Sequence, residues 1–249
     1  MLKEIKALNN KAIKFIKGLT CLIQNHTNNM ENNIENQIEF REGWWWPKED
    51  KNTWKFLNSH FDLPTKVSKY VDKKNVVVQA GGNCGMYPKQ YGEIFNTVYT
   101  FEPDWLNFYC LVRNCPDEHI IKSQTCLGNK PGLVKLAVKH WSRGKSFING
   151  EGRYPVYLID NLGLNDCSLI HLDIEGYEYF ALSGAINTIT KFKPVIAIEM
   201  WDQLDTRFGE NINNKTEALL LSLGYQFVEK LNDTDKIYIH ESKNHNIER

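Results

Sequence analysis

Val76-Val77-Val78-Gln79-Ala80-Gly81-Gly82-Asn83-Cys84-Gly85 decides how the rest of the chain is read. Three β-branched residues in succession predict a short strand buried on both faces. The glycines that follow permit a sharp turn and a close approach of backbone to ligand, which a Cβ would block. A helix is expected to start near Met86, with Pro88 in its first turn, where a missing N–H costs nothing. Strand, glycine turn and helix N-terminus together predict a nucleotide cradle with free N–H groups aimed at the ligand. A second strand, Val98-Tyr99-Thr100-Phe101, ends on Glu102, twenty residues after Gly82. A carboxylate there can accept hydrogen bonds from both hydroxyls of a ribose.

A chain of 249 residues holds one α/β domain with an appendage. Its 30 Lys and Arg balance 30 Asp and Glu, so it has no global electrostatic footprint for nucleic acid. The local cluster Lys66, Lys69, Lys73, Lys74 reads as solvated surface. The six cysteines, at positions 21, 84, 110, 115, 126 and 167, form no CxxC pair and no zinc spacing, so reduced, buried thiols are expected. Lysines at 3, 6, 11, 14 and 17 interrupt every apolar run of the N-terminus, and no stretch has the length of a membrane span. A soluble, cytoplasmic protein is the expectation, with its oligomeric state left open.

Two regions are expected: an N-terminal helical and Trp-rich extension over 1–73, and a ligand-binding domain over 74–249. Residues 3–23 have approximately helical apolar spacing, and the Asn-rich stretch 24–38 reads as a linker. Trp44-Trp45-Trp46 cannot all face one core, so one is expected on a different surface, either roofing a ligand pocket or packing a flap. Asp104 is a helix N-cap ahead of Trp105, Phe108, Tyr109 and Val112, and Pro116 ends that helix. Further strands are expected at 120–123 and 133–138, with a loop at 145–152. Val156–Ile159 is read as a strand ending on Asp160, Ser168–Leu172 as one closed by Asp173, and Pro194–Ile198 as one ending on Glu199. A leucine-rich helix stopped by Gly224 precedes two strands with hairpin spacing around Asn232-Asp233.

Strands alternating with helices imply a mostly parallel sheet, covered on both faces, with ligands beyond the carboxyl ends of the strands. Four strands ending on acids beside a glycine turn mark a site at that edge. The glycine loop alone does not choose between NAD and S-adenosylmethionine. A terminal antiparallel hairpin after five strands favours the latter.

Gln79-Ala-Gly-Gly-Asn-Cys-Gly85, Phe101-Glu-Pro103, Leu158-Ile-Asp160, Leu172-Asp-Ile-Glu-Gly-Tyr-Glu178, Leu182-Ser-Gly-Ala185 and Lys193-Pro-Val-Ile-Ala-Ile-Glu199 occur in order. Over about residues 74–240 the chain resembles the FkbM family of S-adenosylmethionine-dependent methyltransferases. The resemblance implies a class I methyltransferase (Rossmann-like) fold: a mostly parallel seven-stranded sheet with a C-terminal antiparallel hairpin. It also implies methyl transfer to a hydroxyl of a saccharide or small metabolite. Gln79 departs from the family's usual acid; it keeps hydrogen bonding but loses the charge that would attract the methionine ammonium. The first 70 residues are poorly covered.

Glu102 is the expected ribose clamp. Gln79, Gly81, Gly82, Asn83 and Gly85 are assigned to the cofactor, and Asp104 with Trp105 to the border of adenine. Asp173 either holds the methionine ammonium or positions the acceptor. Glu175 acts as general base or orients the hydroxyl. His171 lies deeper and reads as a core histidine rather than a proton carrier. Asp160 and Glu199 either line the acceptor pocket or cap neighbouring helices, and Trp44–Trp46 suit the apolar face of a sugar ring. No spacing demands a metal. Asp173-Ile174-Glu175-Gly176 is not the Asn/Asp-Pro-Pro turn of nucleic-acid amino-methyltransferases, so nucleic acid is disfavoured. An NAD-dependent oxidoreductase and a non-catalytic binding module that keeps the fold are the rival readings.

Overall fold

A computed structural model describes residues 34–201, 207–209 and 211–246. The expected helix over 3–23, most of the 24–38 linker and Cys21 lie outside these residues. The expected valine strand is β3 (Val76–Ala80), at the centre of a seven-stranded sheet. Its parallel neighbours are β4 (Thr97–Phe101) and then β5 (Ile120–Ser123) on one side, and β10 (Leu169–Leu172) and then β11 (Val195–Glu199) on the other. The C-terminal hairpin of β12 (Tyr225–Leu231) and β13 (Asp235–His240) joins through β13, antiparallel to β11. Its three-residue turn, 232–234, places Asn232 and Asp233 at φ of 46° and 64°, in the left-handed region that Asn and Asp tolerate. The chain therefore runs outward from β3 to β5 and restarts at β10 beside β3. That reversal creates a crevice at the carboxyl ends of β3 and β10.

Alternate residues of the central strands supply two cores. Val77, Val98, Leu169 and Ala197 face α3 (Met86–Ile94), α4 (Trp105–Asn114), α1 (Asn52–Ser59) and α2 (Leu63–Ser68). Val78, Ile170, Leu172 and Ile196 face α5 (Glu178–Ser183), α6 (Ile186–Phe192) and α7 (Ile212–Ser222). The segment between Asp173 and β11 thus holds two helices, with the break at Gly184. A Cβ on Gly184 would stand 2.0 Å from the Gly128 carbonyl oxygen, so glycine is what allows the break to touch the neighbouring loop.

The hairpin β1 (Ile38–Arg41) and β2 (Trp44–Pro47) carries the tryptophans. Trp46 is fully buried, edge-on to Trp54, and donates Nε1–H to the Asp50 carbonyl. Trp44 lies on the same side, against Phe61, and Trp45 lies on the other, under Arg113 and in reciprocal hydrogen bonds with Asn114. Ile38, Trp46, Trp54, Leu63 and Val67 join the same core as Val77 and Val98.

Sequence reading missed a second sheet. β6 (Cys126–Leu127), β7 (Gly132–Ala137), β8 (Phe147–Glu151) and β9 (Tyr154–Tyr157) form it in the order β6-β9-β7-β8. The expected loop at 145–152 is mostly β8, because it pairs antiparallel with β7. The strand expected to end on Asp160 is β9 of this smaller sheet, so three parallel strands of the main sheet, not four, deliver acids to its carboxyl edge.

Candidate active site

The crevice is a cleft of about 730 Å³. Its floor is the run of strand ends: Ala80–Asn83 after β3, Phe101–Pro103 after β4, Thr125–Leu127 after β5, Asp173–Glu175 after β10, and Glu199 with Trp201 after β11. Its roof is α1 together with residues 141–148.

Gly81 marks the closest approach of the two central strand ends. Its φ is +84°, and a Cβ there would sit 1.9 Å from the Asp173 carbonyl oxygen. The expectation of free amides in this loop is corrected. The N–H groups of Gly81 and Gly82 both donate to the Phe101 carbonyl, at 3.1 and 3.0 Å, and Gly85 donates to Gly82. Asn83 donates to Glu102 Oε2 at 2.7 Å, and Cys84 to Asn83 Oδ1 at 2.6 Å. The loop is held rigid by its own hydrogen bonds. It presents a shaped wall rather than a row of donors. Gly81, Gly82 and Asn83 line the cleft, whereas Gly85 lies behind it at the start of α3.

Glu102 lies at the cleft wall and ties two segments together, accepting from Asn83 N–H and, at 2.8 Å, from Asp104 N–H. Each carboxylate oxygen has a second lone pair for a ligand. Burial and the adjacent Asp104 carboxylate push its pKa up to about 8, against the pull of the two amides and Arg143.

Asp104 does not reach the cleft. It is the α4 N-cap, accepting from Leu106 and Asn107 N–H, and both its oxygens lie 2.8 Å from Arg143 Nη1. Trp105 also lies away from the main cleft. The cleft residue that this cap positions is Arg143. The buried Asp50 carboxylate accepts from the N–H groups of Thr53 and Arg143, and Thr53 Oγ1 accepts from Gly144 N–H. The two halves of the roof are thereby one unit, anchored to the sheet through Asp104. Asp50 and Arg143 carry no sequence signal, because their pairing spans 93 positions.

Gln79 is also placed elsewhere. It is fully buried, accepts from Thr100 Oγ1 at 2.6 Å and donates to the Ala80 carbonyl, inside the sheet. An amide suits this place because it meets a donor and an acceptor at once. His171 shares that face. The Tyr91 hydroxyl lies 2.8 Å from its Nδ1, Nε2 has no hydrogen-bond partner among the described residues and stands 4.0 Å from Asp235, and burial lowers its pKa to about 4, so the ring is neutral.

Asp173 and Glu199 both line the cleft. Burial raises both pKa values well above the carboxylate range; repulsion from Asp235, Glu175 and Glu178 adds to it at both, and repulsion from Asp173 adds to it at Glu199. Glu199 Oε2 is buried with no hydrogen-bond partner among the described residues. Glu175, at φ +59°, pairs with Arg207, whose Nη1 lies 3.0 Å from Oε2 and 2.6 Å from the backbone carbonyl. Glu178 accepts from Ile174 and Gly176 N–H and so fixes the loop that carries Asp173 and Glu175. Asp160 leaves the site: it caps α6, accepting from Asn187 and Thr188 N–H. Trp44–Trp46 also lie outside the cleft, and the aromatic lining comes from Phe56, Trp141, Phe147, Tyr177 and Trp201 instead.

The donor set fits an adenosyl ligand with a cationic end: a carboxylate beside the glycine turn at one end, and at the other an acid pair with no ion-paired cation among the described residues. The profile of the methyltransferase FkbM domain matches residues 83–227. The chain belongs to the FkbM methyltransferase family. The family's domain is S-adenosylmethionine-dependent, and the strand order found here is that of class I methyltransferases.

Among solved structures, an FkbM methyltransferase from Methylobacillus flagellatus is 22% identical, covering 68% of this chain and 44% of its own, with a TM-score of 0.46. The chain thus spans less than half the length of that relative. Magnesium protoporphyrin IX methyltransferase from Synechocystis, with bound S-adenosylmethionine, is 8% identical, covering 75% of this chain and 79% of its own, with a TM-score of 0.42. The N-methyltransferase NodS from Bradyrhizobium japonicum is 12% identical, covering 76% and 96%, with a TM-score of 0.46. No curated protein sequence matches the chain. Among the described residues, no helix is long and apolar enough to cross a membrane, and no cluster of His, Cys, Asp or Glu is arranged to hold a metal ion.

Proposed function

We propose that this FkbM-family domain moves the methyl group of S-adenosylmethionine to a hydroxyl oxygen of a saccharide or small metabolite. The observation that carries the proposal is the acid pair Asp173–Glu199, buried with no ion-paired cation among the described residues, in a cleft that also carries Glu102. Glu102 would hold the ribose hydroxyls, with Gly81, Gly82 and Asn83 forming the wall beside them. Thr125–Leu127, at the end of β5, would flank the adenine. Asp173 and Glu199 would take the α-ammonium.

The cofactor supplies an already activated sulfonium methyl group, so alignment and exclusion of water can provide much of the acceleration. The roof of α1 and residues 141–148 would exclude water. Glu175 would orient the acceptor hydroxyl and take up its proton. Arg207 and burial pull its basicity in opposite directions, and burial prevails. Raised basicity of this kind suits a general base near neutral pH.

The test is transfer of labelled methyl from S-adenosylmethionine to a panel of sugars and small alcohols, by the wild-type protein and by Glu175→Gln. Transfer that falls by about 100-fold or more in the variant, with donor binding retained, supports the role given to Glu175. A protein that binds donor yet transfers to nothing fits instead a binding module that keeps the fold.

A further inference from the structure

Charge in the cleft separates with depth. Its inner part holds Glu102, Asp173 and Glu199, and its outer part holds cations. Lys55, on the roof helix, and Lys145, beside the 3-10 turn at Arg143–Lys145, both line the cleft and are exposed. Among the described residues neither has an ion-pair partner. Glu175, which also lines the cleft, is already paired with Arg207 at 3.0 Å, and Lys145 and Lys139 add to the positive field around it.

The same outer region leaves large aromatic surface uncovered, with Trp141 63% and Phe56 48% exposed. Lys145 Nζ also lies 5.8 Å from the Trp201 ring, whose buried Nε1–H has no hydrogen-bond partner among the described residues. Aromatic faces beside cations and an unused donor match a ligand that is part ring and part anion. A neutral acceptor would leave two ammonium groups unmatched.

We propose that the acceptor is a hydroxylated ring carrying an anionic group, a phosphate or a carboxylate. Its ring lies against the outer aromatic side chains and its charge is met by Lys55 and Lys145. This rests on the methyl-transfer reading above and extends it to the class of acceptor. The volume of about 730 Å³ suits donor and one small acceptor rather than a polymer groove.

The experiment is calorimetric. S-adenosylhomocysteine is titrated first. Hexose 1-phosphates, hexuronates and methyl hexosides of the same configurations are then titrated into the saturated protein. The anionic sugars should bind at least about tenfold more tightly than the neutral glycosides, and the preference should shrink with added salt. The phosphate and uronate arms show which anion is preferred. The double variant Lys55→Gln/Lys145→Gln should lose the preference at an unchanged unfolding midpoint. Equal binding of neutral and anionic sugars, binding of neither, or a preference that survives in the double variant overturns the inference while leaving the donor site standing. Failure of S-adenosylhomocysteine itself to bind removes the methyl-transfer reading and this inference with it.

Discussion

Asp173 and Glu199, from the ends of adjacent parallel strands, bring two buried carboxyl groups into the same cleft. Burial and the neighbouring acids raise both pKa values well above the carboxylate range, so the pair retains a proton that isolated acids would lose. A ligand bringing an ammonium group to the pair should drive that proton off. Titration of S-adenosylhomocysteine at pH 7 in phosphate and in Tris, whose ionisation enthalpies differ, should give different apparent enthalpies, corresponding to release of about one proton. Affinity should also weaken as pH falls. Identical enthalpies in both buffers would contradict the pairing of donor and dyad.

Gly81 leaves no room for a side chain. Gly81→Ala places a Cβ 1.9 Å from a backbone oxygen, at a φ of +84° that L residues avoid. A loss of about 2 kcal/mol or more in urea unfolding is expected, together with loss of donor binding. A variant as stable as wild type would show that β3 and β10 do not approach as described.

Trp46 is a core residue. Trp46→Ala should cost about 3–5 kcal/mol, and Trp45→Ala less, because Trp45 is only half-buried. Neither change should alter acceptor preference in protein that remains folded. An acceptor-specific defect in either variant would put the hairpin back in the site.

Without added ligand, the protein should gain stability as pH falls from about 8 to 6.5. Glu102 titrates near 8 and Glu178 near 7 in the folded state, both above their ordinary range, so the folded form binds more protons than the unfolded one over this interval. Stability therefore decreases as pH rises towards the folded pKa values. Below about 6.5 His171 opposes the trend: held near 4 in the folded state, it takes up its proton more readily when the chain unfolds. Thermal melts at pH 6.5, 7.25 and 8 should show the midpoint falling with pH, and a rising midpoint would refute this account.

The main sheet was legible because its signals are local. Val76–Val78, Phe101-Glu102 and Leu172-Asp173 each join an apolar run to an acid or a glycine within a few residues, and the hairpin turn carries its own Asn-Asp signature. The inner acids of the site were legible for the same reason. The roof was not. It depends on Asp50 meeting Arg143 and on Thr53 meeting Gly144, pairings about 90 positions apart between segments without periodicity. Asp160 and Asp104 each carried a cap reading beside a site reading. An acid just past a strand reads alike whether it faces a ligand or caps a helix, and here the cap reading holds for both. Gln79 was read as a change in the cofactor site, although its partner is Thr100, inside the sheet.

Binding of S-adenosylhomocysteine to wild-type protein and to Glu102→Gln, measured by calorimetry with unfolding midpoints as a control, tests the central claim most directly. Replacing the carboxyl group that is to accept from both ribose hydroxyls by an amide, which leaves one acceptor oxygen, should weaken binding by about 10- to 100-fold in a protein that stays folded. Equal affinity in the two proteins, or no binding to the wild type, would contradict a donor site built between Glu102 and the Asp173–Glu199 pair.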